Sequence, residues 1–233
     1  MPVSAVRTSL RQIWQNRRGR APVADSIQEK ETTRVEAFSD GVFAIAITLL
    51  ILDIRVPRPP DDPTQPFNLA HQLWALWSPL LAYFMSFAVI LVMWVNHHRI
   101  FTVVRRTDVP FLYWNGLLLM CVSFVPFPTA LLSEYMTHGG AAELKLAALV
   151  YATHGALIAL AFTALWRYAI KGGRLLVPGH MEEAVAQMSE RYRYGPLVYV
   201  VAIVVAFFWP WGSIGLCLGM AMYFAFAGLT GRG

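Results

Sequence analysis

The sequence predicts an all-α polytopic membrane protein with six transmembrane helices. Its composition is 57% apolar and only 14% charged, whereas a soluble domain usually carries about 25% charged residues. Six long apolar stretches follow one another, and a run of about 18 or more such residues is typical of a helix that crosses a bilayer. The spans are expected at about 37–54, 73–95, 109–132, 146–166, 194–209 and 211–229. They form one domain over residues 34–230, preceded by a basic segment over residues 1–33.

The first three spans have recognisable ends. The first is followed by the proline-rich stretch 55–68, which favours an extended and irregular connection. The second span is free of charged residues. The third is expected to begin with Asp108 as its cap and Pro110 in its first turn. Late in this span, Pro126 and Pro128 are expected to kink or end the helix.

The last three spans are separated less evenly. The fourth is a long apolar run with His154 near its middle, and the fifth is short and contains Pro196. Residues 171–193 form the longest polar insertion between two spans, and residues 181–192 are predicted to be helical. The sixth span is again uniformly apolar. No internal repeat is evident in this order of elements.

Basic residues predict how the chain lies in the membrane. With the N-terminus inside, the inner segments hold sixteen of the nineteen Lys and Arg residues, and the outer segments hold Arg55, Arg58 and Lys145. Such a bias is typical of cytoplasmic loops. We therefore expect both termini in the cytoplasm. The net charge of +5 then reflects membrane topology, and no nucleic-acid partner is expected.

The N-terminal segment and the two cysteines carry weaker signals. The basic stretch 7–20 lacks the apolar core of a cleavable signal peptide, so we expect the segment to be kept. Residues 3–14 form either a short amphipathic helix on an anionic membrane surface or a disordered basic tail. Cys121 and Cys217 both fall inside predicted spans and are expected to pack as small apolar residues.

Asp40 is the first candidate for a functional role. An aspartate at the centre of a membrane helix costs about 2.5–3.5 kcal/mol on insertion scales, so such a residue usually faces protein or water rather than lipid. One interpretation puts it near the start of the first helix, where the helix dipole favours an acid. We favour a network of Arg34, Asp40 and His97. The first span leaves the cytoplasm and the second returns to it, which places these residues at one membrane depth.

The histidines have alternative interpretations. His97 and His98 are adjacent, so they point in different directions from a helix, and no metal site is predicted. His154 is either a neutral histidine bonded to a neighbouring helix, which we favour, or part of a proton relay. The sequence contains no catalytic motif and no TVGYG-type filter or pore loop. We therefore expect neither an enzyme nor a cofactor.

One face of the first span is regular. Ile45, Leu49 and Leu52 recur at i, i+4 and i+7, so they lie along one side of a helix, with Thr48 beside Leu49. Taken alone, this stripe is typical of an ordinary helix interface. Thr48 alone indicates a hydrogen bond to another helix or back to its own helix.

The opening stretch reads Arg34-x-x-x-Phe38-Ser39-Asp40-Gly41, followed by an isoleucine five residues after the aspartate and a threonine eight after it. This pattern resembles the prokaryotic branch of the transmembrane protein 175 family of potassium channels. The stretch 94–101 is similar to the family's tryptophan–histidine motif, and Pro126-Phe-Pro-Thr129 is similar to its third-helix pattern.

This resemblance implies a homotetramer in which the first helices surround a path for potassium. It implies a hydrophobic constriction at Ile45, further apolar layers at Leu49 and Leu52, and a hydroxyl ring at Thr48 that prefers potassium modestly over sodium. It also implies a structural network beneath the pore, formed by Arg34, Phe38, Ser39, Asp40 and His97. The implied partners are identical subunits, membrane lipids and monovalent cations, and the implied location is a bacterial inner membrane.

Two other classes of protein stay open at this point. A proton-coupled secondary transporter would use Asp40, His97 and His154 as titratable relays. Such carriers usually show inverted repeats and broken helices at matching positions, and the sequence shows neither. A scaffold without any transport role would need none of these residues. Steady flux without a coupling gradient would separate a channel from both alternatives.

Overall fold

The computed structural model describes residues 23–62, 64–176 and 182–230. Within these residues the chain is all-α, with no strand and one isolated β-bridge between Val104 and Leu176. The all-α prediction is confirmed for this part of the chain. The helices are α1 Val23–Leu49, α2 Leu69–Ala75, α3 Trp77–Val103, α4 Val109–Ser123, α5 Pro126–Thr137, α6 Ala141–Ile170, α7 Glu182–Phe208 and α8 Pro210–Thr230.

Helix α1 begins well before the predicted first span. It runs without a break from Val23 to Leu49 and continues as a 3-10 turn over Leu50–Asp53. Good helix formers such as Gln28, Glu29 and Lys30 explain why the polar stretch before the span is also helical. The helix ends where Ile54 becomes extended, just before the proline-rich loop. The predicted alternatives for residues 3–14 lie outside the described residues.

The second predicted span is divided between two helices. The side chain of Asn68 caps α2 by accepting a hydrogen bond from the His71 N–H at 3.1 Å. The helix then breaks at Leu76, because Pro79 has no N–H to donate to the Ala75 carbonyl in a continuous helix. Helix α3 starts at Trp77 and extends to Val103, beyond the predicted end at residue 95.

The third predicted span is also interrupted. Asp108 caps α4 by accepting from the Phe111 N–H at 3.0 Å, and Pro110 lies in the first turn, as predicted. Helix α4 ends at Ser123 and α5 begins with Pro126. The expected interruption near Pro126 and Pro128 is therefore confirmed.

Four helical stretches in the described residues are long and apolar enough to cross a membrane. They are Glu29–Asp53, Trp77–Val103, Val109–Thr137 and Ala141–Gly173. These stretches correspond to the first four predicted spans and support a membrane protein. The apolar part of α7, Gly195–Phe208, is shorter, although Pro196 does not end this helix. The fifth and sixth spans stay predictions.

Two apolar clusters hold the helices together. The larger contains Phe43 of α1, Ile90 of α3, Phe111 of α4 and Leu165 of α6. The smaller joins α3, α5, α6, α7 and α8 and includes Leu132. Cys217 is buried in the smaller cluster, and Cys121 is half-buried as a free thiol. α1 thus packs against the larger cluster through one side.

Polar contacts tie the start of α1 to the α3–α4 connection, which in turn contacts the α6–α7 connection. Arg105, which follows α3, donates its Nε–H to Glu29 at 2.9 Å, and its backbone carbonyl accepts from the Thr32 hydroxyl at 3.1 Å. The backbone N–H of Arg105 also donates to the Leu175 carbonyl at 2.8 Å. Arg174 pairs with Asp108 at 3.1 Å. These contacts fix the N-terminal part of α1 against the α3–α4 connection, and the α3–α4 connection against the α6–α7 connection.

Candidate functional site

Helix α1 has two unlike faces. On one face Ser39, Phe43, Ala46 and Leu50 repeat at helical spacing, and each is at most 1% exposed. On the opposite face Ile45, Leu49 and Leu52 are 61%, 41% and 70% exposed. A single chain therefore covers one side of this helix and leaves the predicted apolar stripe uncovered.

Thr48 lies on the same uncovered face. Its hydroxyl donates within its own helix, to the Ala44 carbonyl at 2.9 Å or the Ile45 carbonyl at 3.0 Å. Of the two bonds considered for Thr48, the back-bond is the one formed. Because the hydroxyl hydrogen is used inside the helix, the lone pairs of the oxygen remain free on the exposed side. Such an oxygen is able to coordinate a cation.

The predicted motif residues divide between the two faces of α1. Ser39 is fully buried, whereas Phe38 is 68% exposed and Arg34 is exposed as well. Phe38 and Arg34 follow the apolar stripe toward the start of the helix at positions 7 and 11 residues before Ile45. The uncovered face thus carries the positive charge of Arg34 near the start of α1 and apolar side chains toward its end.

A buried chain of hydrogen bonds connects α1, α4 and α3. The Ser39 hydroxyl donates to the Val35 carbonyl at 2.8 Å, and the side-chain amide of Asn115 donates to Ser39 at 3.0 Å. The amide oxygen of Asn115 lies 2.9 Å from His97 Nε2. Because this oxygen only accepts, His97 must carry its hydrogen on Nε2.

His97 is enclosed on its other sides. It is fully buried, with the rings of Phe43 and Phe101 at centroid distances of 5.2 Å and 4.7 Å. Its Nδ1 atom has no hydrogen-bond partner among the described residues. The imidazole of α3 is therefore buried against both α1 and α4.

Asp40 pairs with a different residue of α3. The indole N–H of Trp94 donates to the Asp40 carboxylate at 2.9 Å, and one turn away His98 Nδ1 lies 2.9 Å from Glu36. The rings of Trp94 and His98 stack with their centroids 6.1 Å apart. Two contacts one turn apart thus link α1 to α3, one through the Asp40 carboxylate and one through the His98 imidazole.

The predicted network is only partly assembled within one chain. Asp40 and His97 both connect α1 to the rest of the fold, but they bond to Trp94 and Asn115 rather than to each other. In the described residues Arg34 forms no hydrogen bond or ion pair. Its role in a network therefore stays a prediction.

Three partners of the predicted residues were not predicted from the sequence. The sequence does indicate that Asn115 faces protein, because it is an amide in the otherwise apolar span 109–132, where a polar side chain usually does so. Glu36 had a weaker signal, its position one turn before Asp40. Trp94 belonged to a motif, but nothing in the sequence paired it with Asp40.

His154 lies apart from this site. Its Nε2–H donates to the Cys121 carbonyl at 3.0 Å, at the end of α4, and its ring meets Phe124 edge-on. This contact matches the favoured interpretation of a histidine bonded to a neighbouring helix. Across the described ranges, no three His, Cys, Asp or Glu side chains are grouped closely enough to hold a metal ion.

These features define an all-α membrane protein whose first membrane helix leaves an apolar face uncovered. A family model described as "Endosomal/lysosomal potassium channel TMEM175" matches residues 34–126. A protein named a potassium channel in Chamaesiphon minutus is 50% identical over 203 residues, covering 87% of this chain and 98% of the relative. A potassium channel of Streptomyces collinus is 46% identical over 177 residues, covering 76% and 83%.

A solved structure supports the same assignment. The crystal structure of a lysosomal potassium-selective channel TMEM175 homolog from Chamaesiphon minutus matches with a TM-score of 0.75 and 49% identity. The match covers 85% of this chain and 98% of that one. The chain therefore belongs to the TMEM175 family, and the resemblance of its opening motif is confirmed. The names of these relatives do not favour the carrier alternative.

Proposed function

We propose that this chain is a subunit of a potassium channel in which α1 of each subunit lines the ion path. The observation that carries the proposal is the uncovered face of α1, on which Ile45, Leu49 and Leu52 are all exposed. The names of the relatives, potassium channels of two bacteria, support potassium as the permeant ion.

A pore of this kind requires several subunits. One helix cannot enclose an aqueous path, so identical helices must be arranged around a symmetry axis, and each residue then becomes a ring. The family resemblance supports a homotetramer with six spans in each subunit. The bias of basic residues supports cytoplasmic termini, and the bacterial relatives support an inner membrane.

The apolar side chains of α1 form the gate in this proposal. Rings of Ile45, with further layers at Leu49 and Leu52, make a hydrophobic constriction that blocks ions by excluding water. Leu52 lies in the 3-10 turn Leu50–Asp53 that follows α1, and in this proposal it forms the layer nearest the outer loop. Ile45 is proposed as the narrowest ring.

Thr48 supplies the selectivity in this proposal. Its hydroxyl hydrogen is held within the helix, so four oxygen atoms would face the axis and replace part of an ion's hydration shell. A hydroxyl ring offers fewer ligands than a stack of carbonyl rings. We therefore expect only a modest preference for potassium over sodium.

The buried contacts of α1 support this pore in the proposal. Ser39, Asp40 and His97 hold the helix against α3 and α4 on the side away from the axis, and Arg34 and Phe38 complete the network beneath the pore. Because the contacts of Ser39, Asp40 and His97 fix the rotation of α1, they keep Ile45 and Thr48 facing the path. Their role is structural rather than conductive.

Cysteine accessibility tests the proposed path. Ile45→Cys, Thr48→Cys and Leu52→Cys are made in a background carrying Cys121→Ala and Cys217→Ala, and a charged, water-soluble methanethiosulfonate reagent is applied during recording. We expect modification to reduce the current at these positions. Ala46→Cys, on the buried face of the same helix, is the matched control and should not respond. Equal response at Ala46, or none at the exposed positions, would reject α1 as the pore lining.

A further inference from the structure

A groove opens where α4 ends and α5 begins, against the side of α6. Its volume is about 590 Å³, within the range of about 300–1,000 Å³ that is usual for small-molecule sites. Its walls are mostly apolar and include Met120, Phe124, Leu149 and Leu157. No charged side chain lines it. It lies near the middle of two helical stretches that are long enough to cross a membrane.

His154 contributes an unused acceptor to this groove. The side chain is 8% exposed, and its Nε2–H donates to the Cys121 carbonyl at 3.0 Å. That carbonyl lies at the interruption, where the Val125 N–H bonds to Val122 instead of continuing the regular helix pattern. The bond therefore fixes the histidine tautomer and leaves Nδ1 as an acceptor. Nδ1 has no hydrogen-bond partner in the part of the chain described.

Thr153 contributes an unused hydroxyl beside it. Thr129 and Thr163 each donate to the carbonyl four residues earlier, at 2.8 Å and 2.7 Å. Thr153 is exposed in the groove and makes no such bond among the described residues. In the hydrocarbon core of a bilayer no water satisfies such groups, and leaving them unpaired is costly. The groove thus presents one imidazole acceptor and two hydroxyls, of which the Ser123 hydroxyl donates to the Met120 carbonyl at 2.9 Å and the Thr153 hydroxyl is unused.

We propose that this groove binds a neutral lipophile that carries a single hydroxyl group, of the alkylphenol class. Its hydroxyl donates to His154 Nδ1, its oxygen accepts from the Thr153 hydroxyl, and its ring and alkyl groups contact Phe124, Met120 and Leu157. The absence of charge in the lining disfavours an ionic ligand. This site is separate from the proposed ion path on α1 and does not depend on conduction.

Photolabelling of the intact chain in lipid nanodiscs tests the site. A diazirine derivative of 2,6-diisopropylphenol is photolysed with the protein, and the adducts are mapped by mass spectrometry. We expect adducts within residues 120–124 or 149–157, removed by an excess of 2,6-diisopropylphenol. The matched hydrocarbon 1,3-diisopropylbenzene lacks the hydroxyl and should compete roughly five- to tenfold less well, because it loses the hydrogen bonds.

A pair of threonine variants separates binding from a change in folding. Thr153→Val removes the hydroxyl at nearly constant volume and should weaken competition by the phenol about fivefold. Thr163→Val, on the same helix but outside the groove, should leave labelling unchanged. Equal competition by the hydrocarbon, adducts spread over the surface, or no adduct because a neighbouring subunit covers the groove would each overturn the proposal.

Discussion

The indole N–H of Trp94 donates to the Asp40 carboxylate at 2.9 Å, one helical turn from the contact between His98 and Glu36. Both contacts join α1 to α3, and both lie on a different side of α1 from the apolar stripe. They therefore act on the rotation and position of the proposed pore helix rather than on the ion itself.

The first prediction concerns this link. Asp40→Ala should lower the thermal unfolding temperature and weaken assembly seen by size-exclusion chromatography, because the bond to Trp94 is lost. Hydrogen bonds to charged groups contribute about 1.5–3 kcal/mol, and the lower end applies at a partly exposed position. Trp94→Phe should have a similar effect. An intact oligomer with altered ion preference in Asp40→Ala would contradict a structural role.

The second prediction concerns Asn115. Asn115→Leu removes the bridge between His97 and Ser39 and leaves both polar groups buried without this partner. We expect a loss of about 1–3 kcal/mol in the free energy of unfolding, measured by thermal or denaturant unfolding in detergent. Ser123→Ala is the control, because that hydroxyl is exposed and bonds only within its own turn. Equal stability of the two variants would refute the account of the buried chain.

The third prediction compares two glycines in packed helices. A Cβ atom at Gly155 of α6 would collide with the ring of Tyr199, whereas one at Gly195 of α7 would lie 3.8 Å from the Ala159 Cβ. Gly155→Ala should therefore lower the unfolding temperature. Gly195→Ala should change the free energy of unfolding by less than about 1 kcal/mol, because the better helix propensity of alanine is offset by Pro196, whose ring disfavours a helical alanine before it. An equal loss of stability in both variants would contradict this packing of α6 against α7.

The fourth prediction concerns the gate. Ile45→Asn should raise the leak conductance in reconstituted bilayers, because a polar ring holds water where the isoleucine ring excludes it. Leu160→Asn places the same side chain at an exposed position of α6 and should leave the leak unchanged. Unchanged conductance in folded Ile45→Asn protein would move the gate to Leu49 or Leu52.

The length of the uncharged apolar runs predicts much of the fold. It does not predict where a helix breaks inside such a run, or how far a helix extends into the polar residues before it. The first four spans were predictable because a stretch of suitable length without charge has few alternatives. The break at Leu76 was missed although Pro79 is visible in the sequence, since the apolar run continues across it. The early start of α1 was missed because polar residues before a span carry no hydropathy signal.

The candidate site shows the same limit at single residues. His97 and His98 are neighbours in sequence, yet one is buried against Asn115 and the other faces Glu36 on a different helix. Their partners depend on the rotation of α3 against α1 and α4, which a uniformly apolar sequence does not specify. The cost of polar groups in a membrane predicts that Asp40 and His97 bond to other protein groups, but it does not predict which ones.

The reversal potential of the purified protein in a planar bilayer, with potassium on one side and sodium on the other, tests the central claim most directly. We predict a current that reverses toward the potassium equilibrium potential, with a smaller shift in Thr48→Val and a retained shift in Thr48→Ser. Two results would contradict a potassium-preferring pore lined by α1. One is the absence of current from protein shown to be reconstituted, and the other is a reversal potential of zero, which means equal permeability to potassium and sodium.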